Sequence, residues 1–132
     1  MLFEINVKTN VNTELIDITE KINEVIRKSK ISSGICLVYT PHTTAAVTIN
    51  ENADPTVQRD IIYEMNKIVP FDDNYKHGEG NSAAHIKSSL FGASEYLIIE
   101  SGKLLLGTWQ GIYFCEFDGP RLRKVLVKII NG

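Results

Sequence analysis

No run of apolar residues in this chain approaches the roughly 20 that a membrane-spanning helix requires. The N-terminal MLFEINVKTN lacks the charged-then-apolar pattern of a signal peptide and alternates like a strand instead. The chain is therefore expected to be cytoplasmic, with no membrane partner. Cysteine is scarce: Cys36 and Cys115 are alone, with no CxxC and no zinc-finger spacing. Both lie in apolar, strand-like segments and are expected to be buried, reduced thiols. Charge of one sign is not in excess, the net being -2 at pH 7. That balance argues against a mainly electrostatic nucleic-acid partner. There is no long Gly/Ser or Pro-rich linker, no internal repeat and no low-complexity segment, so the 132 residues form one domain. The chain also has no GxSxG elbow, no Walker A loop and no Rossmann fingerprint.

What is present is a series of short periodic segments. Residues 2–8 alternate as a strand. Leu15, Ile18, Ile22, Val25 and Ile26 follow helical spacing, with Asp17 or Thr19 as the cap and Ser32-Ser33-Gly34 as the stop. Gly34 to Thr40 reads as a buried strand and Ala45 to Asn50 as a second. Asp54-Pro55 is a helix start, Asp as N-cap and Pro at the first helical position. Val57, Ile61, Ile62, Met65, Ile68 and Val69 are expected on the buried face of that helix, which Pro70 closes. A polar loop, 71–81, leads to a short helix from Ser82 to Phe91 with the apolar stripe Ala83, Ile86 and Leu90. Strands follow at 96–99, 104–106, 112–117 and 122–130, the last two joined by a hairpin-like turn at Asp118-Gly119-Pro120. The order β-α-β-β-α-α-β-β-β-β predicts an α+β fold with a mainly antiparallel sheet or sandwich.

Two polar stretches stand out. Tyr39 to Pro55 holds His42, Thr43, Thr44, Asn50, Glu51, Asn52 and Asp54, and Lys76 to His85 holds the other two histidines, His77 and His85. The two stretches are expected to meet. His85 points away from the middle of its helix's apolar stripe, towards the side that carries Asn81. Its alternative is a surface histidine beside a capping asparagine. Gly78 and Gly80 allow close backbone approach or positive φ ahead of a helix N-terminus, a plausible anion seat or simply a loop tip. In a third region, Trp109 and Gln110 lie between strands, and Glu116 alternates with Phe114, at a sheet edge or inside a site. Three imidazoles suit a divalent transition metal of the zinc kind, although spacings of 35 and 8 residues match no local metal motif. Acid–base work by histidine near neutral pH is the other option.

Taken together, PHTTAAVTINENADP (41–55), HGEGNSAAH (77–85) and GTWQGIYFCEFDGPR (107–121) resemble the YjbQ, or UPF0047, family of small cytosolic proteins over essentially the whole chain. The resemblance implies a compact α+β sandwich, a homotrimer, and a secondary thiamine-phosphate synthase activity joining hydroxymethylpyrimidine pyrophosphate to thiazole phosphate. It marks a site region in which His42, Thr44, Asp54, Asn81 and Glu116 are candidates for the chemistry. Thr43, Asn50, Asn52, Gly78, Gly80, Trp109 and Gln110 are candidates for substrate contact, and His42, His77 and His85 for a metal. Arg121 and Arg123 are further phosphate partners to consider. The expected ligand is a phosphorylated small molecule. Without an Asp-rich motif suited to Mg²⁺–pyrophosphate, a weak activity fits better than a dedicated synthase. The rival expectation is a non-catalytic metal- or small-molecule-binding trimer, and a third is a structural trimer.

Overall fold

Two antiparallel sheets face each other across the main core. The computed structural model describes all of residues 1–132. In chain order the elements are β1 (Leu2–Lys8), β2 (Glu14–Asp17), α1 (Thr19–Ser29), β3 (Gly34–Tyr39), β4 (Ala45–Glu51), α2 (Pro55–Ile68), α3 (Ser82–Phe91), β5 (Ser94–Glu100), β6 (Lys103–Leu104), β7 (Gln110–Glu116) and β8 (Leu122–Asn131). One sheet runs β1-β8-β3-β5-β6 and the other β2-β7-β4. Alternation along each strand sends Val7, Cys36, Val38, Leu97, Ile99, Val125, Val127 and Ile129 inward from the larger sheet. They meet Ala45, Val47, Ile112 and Phe114 of the smaller one, and α1 adds Ile22, Val25 and Ile26. The expected α+β sandwich is present, with both cysteines buried and free. Burial pushes the Cys36 thiol up to about 12.

The opposite face of β7, through Tyr113 and Cys115, packs with Ala46, Ala84, Phe117, Leu15 and Phe91. Helices α2 and α3 cover that side. This makes β7 a central strand with both faces occupied, so its sequence shows no alternation of apolar and polar residues.

Several boundaries differ from the sequence reading, each for a tertiary reason. Leu15 lies in β2, paired with Cys115, because β7 offers an edge there. The α1 helix starts only at Thr19, whose backbone N–H donates to Asp17 Oδ1 at 2.9 Å. The predicted strand 104–106 shrinks to the pair Lys103–Leu104. The turn at 118–120 is not a hairpin: β7 and β8 belong to different sheets, and the chain crosses between them. Gly119 is required at that crossing, since a Cβ there would lie 2.4 Å from Val11 O and 2.9 Å from Thr9 Oγ1.

Both later helices also bury less, or other, residues than periodicity suggests. Helix α2 has its Asp54 cap, with Thr56 N–H donating at 3.0 Å. Yet no residue of it is fully buried: Ile61, Ile62 and Met65 are half-covered and Ile68 is exposed. Helix α3 buries Ala83, Ala84, Lys87 and Ser88 and leaves Ile86 and Leu90 outside. Small residues let it lie close on β4, and Ser88 Oγ donates to Thr43 O at 2.6 Å. That rotation carries His85 and Asn81 to one edge, where the candidate site forms.

Candidate functional site

β4 is preceded by His42, Thr43 and Thr44. They reach the same end of the sandwich as the N-terminus of α3 and the β7–β8 crossing. These segments wall a cleft of about 430 Å³, lined by polar residues and Pro41. An adjoining lobe of about 550 Å³ shares His42, Thr43 and His85 and runs past Ser88 and Ser89 to Ala93. Each lobe falls in the range of small-molecule sites. The two polar stretches therefore do meet, through His42, Thr43, Thr44, His77, Asn81 and His85.

The floor of the cleft is a cross-sheet ion pair. Glu116 of β7 is fully buried and Arg123 of β8 is 5 % exposed. Arg123 Nε donates to Glu116 Oε1 at 2.8 Å, its Nη2 donates to Oε2, and Nη2 also donates to Thr44 Oγ1 at 2.9 Å. Thr9 Oγ1 donates to Oε1 at 2.8 Å and the Asp118 N–H to Oε2 at 3.0 Å. Burial alone would raise the Glu116 pKa. The hydrogen bonds from Arg123, Asp118 and Thr9 outweigh it and hold the carboxyl below its usual value. Glu116 therefore faces no ligand: it orients Arg123, and Thr44 helps it, so both are positioning groups. Beside them Arg121 bonds Asp118 through Nε to O at 2.7 Å and through Nη2 to Oδ2 at 3.0 Å. Asn81 Nδ2 donates to the same Oδ2 at 2.9 Å, while Asn81 Oδ1 is buried with no partner.

His42 is fixed from its back. The Lys124 backbone N–H donates to His42 Nε2 at 2.9 Å. An accepting Nε2 assigns the neutral tautomer with its proton on Nδ1. Burial, then the nearby Arg123 charge, lowers the His42 pKa, so the ring stays neutral. His42 thus presents an Nδ1–H donor. His77 and His85 stand edge to face, ring centroids 5.5 Å apart. At the start of α3, the Ser82 and Ala83 N–H groups have no protein partner.

The fit of a metal can be tested on these positions. No three His, Cys, Asp or Glu side chains gather at ligating distance. His42 has spent its Nε2 lone pair on Lys124, and its Nδ1 carries a proton. The three histidines share a cleft but, as placed, do not fit a three-imidazole centre.

The other candidates lie elsewhere. Asn50, Asn52, Asp54, Trp109 and Gln110 sit at the far end of β4 and β7, where Asn50 pairs Gly111 and Glu51 pairs Gln110. The length of β4, about 20 Å, separates them from His42 within one chain. Their polar groups are largely used locally. Asn50 Oδ1 accepts from Glu51 N–H, Asn52 N–H donates to Trp109 O, Gln110 Oε1 accepts from Gly107 N–H, and Asp54 caps α2. Trp109 is 63 % exposed. Gly78 and Gly80 shape the loop before α3 and do not line the cleft, Gly80 with φ +79°. Sequence reasoning missed Glu79, Asp118, Ser88 and Ser89. The two serines lie three and four residues after His85, a spacing that puts them on its side of a helix.

A family model described as "UPF0047 protein YjbQ-like" matches residues 3–132. The UPF0047 protein of Methanocaldococcus jannaschii is 58 % identical over 131 residues, covering 99 % of this chain and 95 % of that one. YugU of Bacillus subtilis is 50 % identical, covering 99 % and 100 %. A solved structure of a yjbq/upf0047 family protein from Clostridium acetobutylicum superposes with a TM-score of 0.96 at 57 % identity, covering 97 % of this chain and 99 % of that one. A YbjQ-like protein of unknown function from Sulfolobus solfataricus gives 0.96 at 34 % identity, covering 100 % and 97 %.

Proposed function

The chain belongs to the UPF0047, YjbQ-like family, and from that premise we propose that its cleft binds a phosphorylated small molecule and acts on it weakly, with thiamine-phosphate synthase-type transfer as a secondary activity. The observation that carries this reading is the convergence of unspent donors. Arg121 and Arg123, both lining the cleft, each keep Nη1 without a partner, and His42 keeps Nδ1–H. Glu116 neutralises Arg123, Asp118 sits against Arg121 and Glu79 adds a third carboxylate, so the cleft has no net positive charge and supplies directed donors instead. Such a site suits a phosphomonoester better than a polyanion. Where a phosphate or pyrophosphate leaves, the same donors stabilise the developing negative charge. His77 and His85 supply the acid–base capacity.

The test is calorimetric titration with inorganic phosphate and pyrophosphate. Saturable binding, weakened at least tenfold in Arg121→Ala, is expected; no binding by the folded protein overturns the reading. Turnover of hydroxymethylpyrimidine pyrophosphate with thiazole phosphate, lost in His85→Ala, would establish the transfer. A second reading, a binding protein without catalysis, is favoured by the commitment of Thr44 and Glu116 to structural bonds. It predicts the same titrations with no turnover.

We also propose a homotrimer. On the outer face of the larger sheet Ile35 pairs across from Ile98 and Ile130, Leu37 from Tyr96, and Tyr39 from Leu126. Tyr96, Ile98 and Ile130 are exposed. Lys128, opposite Leu37, and Ser94, opposite Tyr39, interrupt this face; its exposed apolar side chains favour burial against another copy.

A further inference from the structure

The two lobes of the cleft differ in chemistry, and the difference bears on the ligand. The first holds every charged side chain: Glu79, Asp118, Arg121 and Arg123. The second has none; its walls are the hydroxyls of Thr43, Ser88 and Ser89, the imidazoles of His42 and His85, Gly92 and the methyls of Ala45 and Ala93. The lobes join at His42, Thr43 and His85. A ligand filling both has an anionic end, a neutral polar end and its linking atoms against those three residues.

The neutral end is further restricted. Neither lobe is lined by Phe, Tyr or Trp, and the single tryptophan lies at the far end of β4. A flat aromatic group entering the second lobe finds no side chain other than imidazole on which to stack. An aliphatic chain bearing hydroxyls finds the unengaged Thr43 hydroxyl, the His42 Nδ1–H, and two hydroxyl oxygens that can accept, since Ser88 and Ser89 donate to the Thr43 and His85 carbonyls.

Resting on the phosphate-binding reading above, we infer that the preferred ligand is a phosphomonoester of an aliphatic hydroxylated compound, the sugar-phosphate class, rather than a phosphorylated aromatic heterocycle. On this inference any thiamine-phosphate synthase turnover uses substrates that fit the charged lobe and only part of the neutral one.

The experiment compares three probes by calorimetry on the intact protein: inorganic phosphate, ribose 5-phosphate and phenyl phosphate. Ribose 5-phosphate is expected to bind at least tenfold more tightly than either of the others. Ser89→Leu and Ala93→Leu, both at exposed positions, fill the neutral lobe. Each is expected to erase that advantage and leave phosphate affinity unchanged. The inference is overturned if phenyl phosphate binds as well as ribose 5-phosphate, or if both folded variants keep the ribose 5-phosphate affinity. Either result, with phosphate still bound, leaves the phosphate-binding reading intact. Failure of all three probes removes both.

Discussion

At the scale of single residues, the Glu116–Arg123 pair sets the stakes. Removing one partner of a buried ion pair strands the other charge. Glu116→Ala is expected to destabilise the fold by about 3–5 kcal/mol, read from urea melts; a loss within about 0.5 kcal/mol, the scatter of neutral surface changes, would contradict the buried-pair account. His42 makes a second prediction, on pH. Its folded pKa is depressed, so on acidification the unfolded chain takes up this proton first. Stability from this group is present above about 6.5, the ordinary histidine value. It falls as the pH drops below that towards the lower folded value. His42→Gln places an amide oxygen near the Nε2 position and can still accept from the Lys124 N–H but cannot titrate. Its melting temperature should fall less than that of the unsubstituted protein between pH 7.5 and 5.5. Parallel curves would mean that His42 is not held neutral.

At the scale of elements, α2 and α3 are attached differently. Helix α3 lies on β4 through Ala83, Ala84 and Ser88 and moves with the sheet. Helix α2 rests on half-buried Ile61, Ile62 and Met65, with Lys87 Nζ donating to Asn66 Oδ1 at 2.5 Å. Lys87 is 4 % exposed, and burial lowers its pKa. A helix with no fully buried residue opens at lower free energy than the central strand. Hydrogen exchange should therefore show α2 amides exchanging well before those of β7, with α3 closer to β7; equal protection of α2 and β7 would refute this. For β3, the decisive position is Gly34. A Cβ there would lie 2.0 Å from the Ile130 carbonyl oxygen, where β3 and β8 pair. No side-chain rearrangement relieves a backbone collision, so Gly34→Ala must displace one of the two strands.

At the scale of the molecule, the outer apolar face is the surface through which the proposed trimer would form. Placing a lysine at Ile98, opposite Ile35 on that face, buries a charge if the face is covered. Under the trimer proposal, Ile98→Lys is expected to lower the mass seen by light scattering without unfolding the protein. An unchanged mass would place the subunit contact elsewhere. No helix is long and apolar enough to cross a membrane.

Local chemistry carried much of this architecture. Alternation and β-branched residues marked β1, β3, β4, β5 and β8, Asp54-Pro55 marked the start of α2, and the spacing of Asn81 and His85 put both on one side of α3. Those features depend on residues within a few positions of one another, and so are legible in a linear string. Long-range partners overrode the rest. Leu15 became strand because β7 offered it an edge. The stripe of Ile86 and Leu90 turned outward because alanine and serine approach β4 more closely. Asp118-Gly119-Pro120 reads as a hairpin locally, yet joins two sheets. The polar residues of 41–55 read as one cluster because they are near in sequence, but a strand is an extended spacer. It carries Asn50, Asn52 and Asp54 to the opposite end from His42. Glu116 looked like a site carboxylate, and became a buried anchor once Arg123, seven residues on in another sheet, folded over it.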